Sequence, residues 1–295
     1  MKRRKAMYQL LALDMDGTLL NRNKVITPFV QQTLQSLIRK GVNVMIASGR
    51  FPASVWLHGQ HIGMTCPLVA FNGAVILDAN TGELKHGYPI VPAAARRIAE
   101  LAEQTSTYVH FYGYQELFVR EINAMNASWP LANVVIDPRK PLAYEHYQEQ
   151  ADRIQVKAVG SLLNFVQAND VPLYKATMIS DDTQLLDELY KELGAQQEFA
   201  LTRTGQRRFD INAAGVSKRS GLEVVSHTLG LAPSAAVAIG DYDNDIDMLQ
   251  WAGLGIAMAN GSELAKQAAN AITASNEEDG VAKAVNRYFL SCQHA

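Results

Sequence analysis

Cysteine is nearly missing from this 295-residue sequence: Cys66 and Cys292 are the only two. They stand too far apart for a metal-type spacing and too few for a disulfide framework. A reducing cytoplasm is the expected compartment. Long apolar runs are also absent, since no stretch approaches the ~18–20 uninterrupted apolar residues of a membrane span. The basic start, Lys2-Arg3-Arg4-Lys5, is followed by an apolar run at only 10–13 before Asp14 interrupts it. That is far short of a signal-peptide h-region, so the start reads as a solvated tail and no membrane partner is expected. Nor is there an excess of either charge: 27 Lys and Arg against 29 Asp and Glu give a net −2. Scattered basic residues leave no footprint for nucleic acid.

What is present describes a globular chain. Hydrophobic residues make up 48% and charged residues 19%, which excludes a disordered protein, and the length suits about two domains. Residues 8–13 form a short apolar run ended by acids and Gly17, the pattern of a buried parallel strand emptying into a loop. Thr27 is a natural N-cap with Pro28 at the first helical position, and Val30, Leu34, Leu37 and Ile38 recur at helical spacing before Gly41. Apolar runs at 42–47 and 67–71 predict two further strands, ending at Ser48-Gly49-Arg50 and Asn72-Gly73. The alternation is βαβ.

Residues 74–90 read instead as a hairpin, with turn chemistry at 78–82. From 87 to 208, helical segments (93–103, 182–193) mix with strand segments (108–111, 115–119, 175–179), the texture of an inserted α+β domain. The opening texture returns over 209–295: Ser217 caps a helix, 235–239 is a buried strand, and it empties into Gly240-Asp241-Tyr242-Asp243-Asn244-Asp245. Short strands at 254–258 and 271–273 and helices at 262–269 and 278–289 complete the pattern. The fold class is therefore α/β: a Rossmann-like, doubly wound parallel core from 1–86 and 209–295, with 87–208 as an α+β cap.

In open α/β sheets ligands sit outside the carboxyl ends of the strands. Here those ends carry Asp14 and Asp16, Ser48, Asn72, and Asp241, Asn244 and Asp245. Acids from two strand ends suit one hard cation such as Mg²⁺. Ser48 and the backbone of Gly49 are small donors suited to phosphate oxygens. Singly, each piece has a plainer reading. Asp-x-Asp-Gly is common in turns, Ser48 fits a helix cap, Asp241 to Asp245 fits a capped helix start, and Lys218 fits an exposed first-turn lysine.

In combination and in order, these motifs resemble those of the haloacid dehalogenase-like hydrolases, and among them the Cof-type phosphatases with a large α/β (C2-type) cap. Asp14 to Leu19 matches the first motif, Ser48-Gly49-Arg50 the second, Lys218 after Gly215-Val216-Ser217 the third, and Gly240 to Asp245 the fourth. The resemblance implies a phosphomonoester hydrolase acting on a small phosphorylated metabolite. Asp14 would be the nucleophile and Asp16 the acid–base residue. Mg²⁺ would be held by Asp14, the Asp16 carbonyl and Asp241. Ser48, Gly49, Lys218 and Asn244 would bind phosphate, Asn72 would touch substrate, and Asp245 would hold Lys218 or a metal-bound water.

The alternatives are a phosphomutase or phosphotransferase of the same fold, and a non-catalytic phospho-ligand-binding module. The latter is expected to have lost Asp14, Asp16, Lys218 or Asp241, and none is lost. In the cap, Tyr108, His110, Tyr112 and Tyr114 fall on one face of a strand. Lys175 and the Arg207-Arg208 pair fit either a second anionic group or plain solvation, and Arg50 fits a cap or a partner for a nearby carboxylate. None of these is assigned to the site.

Overall fold

The computed structural model describes residues 8–290; the basic run at 2–5 and Cys292 lie outside them. Five parallel strands form the central sheet in the spatial order Ala271–Ile272, Leu254–Ala257, Ala236–Gly240, Leu10–Leu13 and Asn43–Ile46. Every residue of Leu10–Leu13 and Ala236–Gly240 is buried. That is why these strands read as unbroken apolar runs, since both faces of a parallel sheet are covered. From Leu10–Leu13 the chain steps outward to Asn43–Ile46, and it later returns to build the three strands on the other side. The order therefore reverses between Leu10–Leu13 and Ala236–Gly240, a topological switch point.

Local signals set the flanking elements. The Thr27 hydroxyl accepts the Val30 N–H at 3.2 Å and starts the helix Pro28–Arg39, whose Val30, Leu34 and Leu37 are buried. Ser48 donates its N–H to the Val69 carbonyl at 3.0 Å, which ties the end of Asn43–Ile46 to Leu68–Ala70. That strand opens an antiparallel ribbon with Val75–Leu77 and Leu84–Gly87. The hairpin turn expected at 78–82 is present, with Asp78 Oδ1 accepting the N–H groups of Asn80 and Thr81.

A second sheet of six strands runs Phe199–Gly205, Arg208–Ala213, Lys175–Ile179, Tyr108–Tyr112, Glu116–Val119, Gln155–Ala158, antiparallel except at the last pair. Alternation sorts its two faces. Val109, Phe111, Ala176, Met178, Phe209 and Ile211 share one apolar cluster with Ile98 of the helix Pro92–Thr105 and Leu186 and Leu189 of Thr183–Gly194. The intervening Tyr112, Lys175, Thr177, Arg208 and Asp210 line a cleft over the strand ends of the central sheet. Because Phe209 and Ile211 belong to that cluster, Arg208–Ala213 pairs in this sheet, and the sheet extends past residue 208, where the sequence reading returns to the core.

Candidate active site

The switch point sets the site. Asp14 follows Leu13 and donates its N–H to the Ile239 carbonyl at 3.0 Å, while Asp241 directly follows Gly240 on the neighbouring strand. Lys218 comes from the start of the helix Lys218–Thr228, where Ser217 and Ser220 form a reciprocal cap. Its side chain is 1% exposed, and its Nζ donates to Asp14 Oδ1 at 2.5 Å and Asp245 Oδ1 at 2.6 Å. The other Asp245 oxygen accepts the N–H groups of Asp241 (2.9 Å) and Tyr242 (3.0 Å). Thr18 donates to Asp241 Oδ1 at 3.1 Å. Gly17 is held at φ +82°, and a Cβ there would fall 2.2 Å from Asp241 Oδ2, so the loop requires glycine for space as well as conformation.

Carboxylate oxygens of Asp14, Asp241 and Asp245 lie within 4.8 Å of one another. Three buried carboxylates against one ammonium leave negative charge in excess. Burial pushes Asp14 well above the usual carboxylate range, and the charges of Asp245 and Asp241 add to it against the opposing pull of Lys218. Asp241 is pushed up to about 6, by burial first and then by Asp245. Burial works against the Lys218 ammonium, but the two carboxylates outweigh it and its pKa rises. The direction for the cluster is therefore a lysine firmly charged and carboxylates short of positive charge.

Asp16 sits apart from this cluster. Its Oδ2 accepts from Arg50 Nε and its Oδ1 from Arg50 Nη2 and Lys24 Nζ, each at 2.7 Å. Burial would raise its pKa, but the bidentate Arg50 and then Lys24 outweigh burial and hold it ionised. Arg50 thus reaches a neighbouring carboxylate. The buried Ser48 hydroxyl accepts the Arg50 N–H at 3.3 Å.

Asn72, at φ 59°, spans the joint between the two sheets. Its Nδ2 lies 3.4 Å from Asp210 Oδ2 and 3.3 Å from Asn212 Oδ1, and its Oδ1 accepts from Asn244 at 3.4 Å. The Gly49 carbonyl accepts from Lys175 Nζ at 2.9 Å, and that ammonium also meets Asp210 Oδ2 at 3.0 Å. Thr177 donates to the other Asp210 oxygen at 2.7 Å.

Asp14, Asp16, Ser48, Gly49, Asn72, Asp241 and Asn244 all line one cleft of about 490 Å³ under the six-stranded sheet. Lys218 and Asp245 lie behind its floor, bonded to it through Asp14 and the Asp241 N–H. The sequence reading leaves out the opposite wall, which Trp129, Lys175, Thr177, Arg203, Arg208 and Asp210 contribute to. A usable signal is polar residues at alternate positions of otherwise apolar strands: Lys175 and Thr177 between Tyr174, Ala176 and Met178, and Asp210 and Asn212 between Phe209, Ile211 and Ala213. Lys175 is buried against Asp210 rather than solvated, whereas Arg207 pairs with Asp181 at the surface.

A parallel sheet with acids at its switch point, roofed by a second, largely antiparallel sheet, defines a capped α/β architecture with its cleft between the two sheets. The sequence model of the haloacid dehalogenase-like hydrolases matches residues 11–285. The chain is 30% identical over 293 residues to the 5-amino-6-(5-phospho-D-ribitylamino)uracil phosphatase YitU of Bacillus subtilis, covering 95% of this chain and 97% of that one. It is 26% identical over 284 residues to phosphatase YwpJ of the same organism, covering 93% and 97%. Among solved structures, a haloacid dehalogenase-like hydrolase from B. subtilis superimposes with a TM-score of 0.79 at 26% identity, covering 93% and 97% of the two chains. Another from Bacteroides thetaiotaomicron gives 0.76 at 25%, covering 96% and 100%. The chain belongs to the haloacid dehalogenase-like hydrolases, and it is a phosphatase.

Proposed function

We propose that the chain is a Mg²⁺-dependent phosphomonoester hydrolase that cleaves small phosphorylated metabolites through an aspartyl-phosphate on Asp14. The observation that carries this reading is Lys218, buried and bonded to both Asp14 and Asp245 beside Asp241. The excess negative charge of that cluster, all of it on oxygen, fits a hard divalent cation. The Asp14 and Asp241 carboxylates and the Asp16 carbonyl would hold it. Asp245, already accepting from Lys218 and two backbone N–H groups, supports them instead. When bound, Mg²⁺ supplies positive charge that lets an anionic carboxylate approach an anionic phosphate.

Lys218 holds one Asp14 oxygen and leaves the other for attack. The Asp14 oxygen–phosphorus bond forms as the phosphorus–alkoxide bond breaks, and Asp16 gives the departing oxygen its proton. Water then forms a bond to phosphorus, Asp14 is released, and Asp16 takes the water's proton. The Arg50 and Lys24 pairing favours the ionised, proton-accepting form of Asp16. Its donating role requires it to leave at least one of these partners. Ser48, the Gly49 backbone and Asn244 grip phosphoryl oxygens, and Asn72 positions substrate. The division into a catalytic core (1–86, 209–295) and a specificity cap (87–208) belongs to the same proposal, with the cap's last strand continuing to Ala213.

Sequence similarity to a phosphoribitylaminouracil phosphatase supports a small phosphorylated metabolite as substrate, and scarce cysteine supports a cytoplasmic setting. The test is phosphate release from a panel of phosphomonoesters, with and without Mg²⁺, for wild type and Asp14→Asn. Mg²⁺-dependent release that Asp14→Asn abolishes is expected. Wild-type turnover by Asp14→Asn would refute the nucleophile assignment.

A further inference from the structure

Five cationic side chains line the cleft: Lys24, Arg50, Lys175, Arg203 and Arg208. Four are already matched by carboxylates, Lys24 and Arg50 by Asp16, Lys175 by Asp210, and Arg203 by Asp187. Among the described residues Arg208 forms no ion pair. Its Nε reaches only the Thr204 carbonyl, at 3.4 Å, and its guanidinium carbon lies 6.0 Å from the centre of the Trp129 ring.

The backbone holds Arg208 over the cleft. Arg208, Asp210 and Asn212 share one face of a strand, and successive residues on a face are ~7 Å apart. Asn212 bonds the Phe71 carbonyl of the core, and Asp210 reaches Asn72. Arg208 is the next step away from the joint, so a ligand anchored at Asp14 meets it with its far end.

The facing strand is also modified at this point. Arg203 pairs with Phe209 and Gly205 with Arg208, which leaves Thr204 as the extra residue of a β-bulge. Bulges re-aim side chains beside binding sites. Both Arg203 and Thr204 line the cleft in consequence, and the buried Thr204 hydroxyl has no hydrogen-bond partner. A smaller recess continues past Trp129, Thr204 and Arg208. An unmatched guanidinium and an unused hydroxyl thus converge at the end of the cleft remote from the reacting carboxylates.

We infer that this end is an anion subsite, in which Arg208 and Thr204 bind a second acidic group, a carboxylate or a second phosphate, at the far end of the leaving group. The inference rests on the phosphatase reading above and narrows its substrates to small metabolites acidic at both ends. A charge-assisted hydrogen bond to an incompletely buried guanidinium corresponds to about tenfold in affinity.

The test uses three esters with the same six-carbon chain: glucitol 6-phosphate with a neutral end, 6-phosphogluconate with a carboxylate, and glucitol 1,6-bisphosphate with a phosphate. With Mg²⁺, wild type is expected to favour at least one acidic-ended ester over the neutral one by about tenfold in kcat/KM. Arg208→Met is expected to bring that ratio close to one, with Arg208→Lys between. The ester that gains tells carboxylate from phosphate. A wild-type ratio near one, or a ratio that survives Arg208→Met, would overturn the subsite. Calorimetric binding of the matching non-hydrolysable phosphonates to both proteins keeps the two readings apart. Absent Mg²⁺-dependent release from these esters and from the wider panel defeats the proposed function, whereas equal binding of neutral-ended and acidic-ended phosphonates defeats the subsite.

Discussion

Replacing Lys218 by Met isolates the electrostatics of the site, because the change keeps an unbranched apolar stem and removes the terminal ammonium with its charge and donors. In metal-free protein it leaves Asp14, Asp241 and Asp245 buried together with no cation among them. Breaking a buried pair in this way costs about 3–5 kcal/mol. The cluster has one escape, which is to bind a proton. Neutralising a carboxylate with an ordinary pKa near 4 costs about 1.4 kcal/mol per pH unit above that value, roughly 5–6 kcal/mol at pH 8 but only about 1.5 at pH 5. The penalty of Lys218→Met is therefore capped by pH. Urea unfolding in EDTA should show a loss of about 3–5 kcal/mol at pH 8 that shrinks below about 2 at pH 5. Adding Asp245→Asn should recover part of the loss at pH 8, since it removes the second carboxylate that Lys218 neutralised. A loss that is the same at both pH values would refute the charge balance described here, and so would wild-type stability at pH 8.

Two other outcomes follow from the same geometry. Asp241 is pushed up to about 6 from an ordinary value of 3.8, so the native state holds more protons than the unfolded state between those values. Metal-free stability should then fall as pH rises through that window, and Mg²⁺ should raise the melting temperature far more at pH 7.5 than at pH 5, where protons occupy its ligands; a shift independent of pH would count against Asp241 as a ligand. Lys175→Met strands the Asp210 carboxylate and frees the Gly49 carbonyl. It should cost about 3–5 kcal/mol of stability and raise KM for phosphate esters, measured by urea unfolding and steady-state kinetics, and an unchanged KM would separate the joint from phosphate binding.

Much of the central sheet is legible in the sequence for a simple reason. A strand buried on both faces must be apolar throughout, and it must stop where an acid appears, so Leu13-Asp14 and Gly240-Asp241 mark strand ends directly. Helix starts are legible for similar local reasons: Thr27 and Ser217 supply the cap oxygen their helices need. The far wall of the cleft is not legible in this way. Alternation puts Lys175 and Thr177 on one face, but whether that face meets solvent or the core depends on how the second sheet docks, through contacts such as Asn212 to Phe71 that span 141 positions. The clamp on Asp16 is hidden for a related reason. Arg50 lies 34 residues away, and nothing local distinguishes a capping arginine from one turned back onto the first loop.

The pairing of Leu10–Leu13 with Ala236–Gly240 also bears on how the molecule is made. Thr18 and Asp241 touch across 223 positions, and a ribosome adding about 5–20 residues per second needs roughly 11–45 s to supply the second after the first. The six-stranded sheet, which spans residues 108 to 213, can form before Ala236–Gly240, the later of the two strands that neighbour Leu10–Leu13, has emerged from the ribosome. During that interval the first strand has one open edge, and Asp14 has neither Lys218 nor Asp241 beside it. On that schedule the roof can form before the hearth, and the cluster of Asp14, Lys218, Asp241 and Asp245 comes together only as the last quarter of the chain emerges.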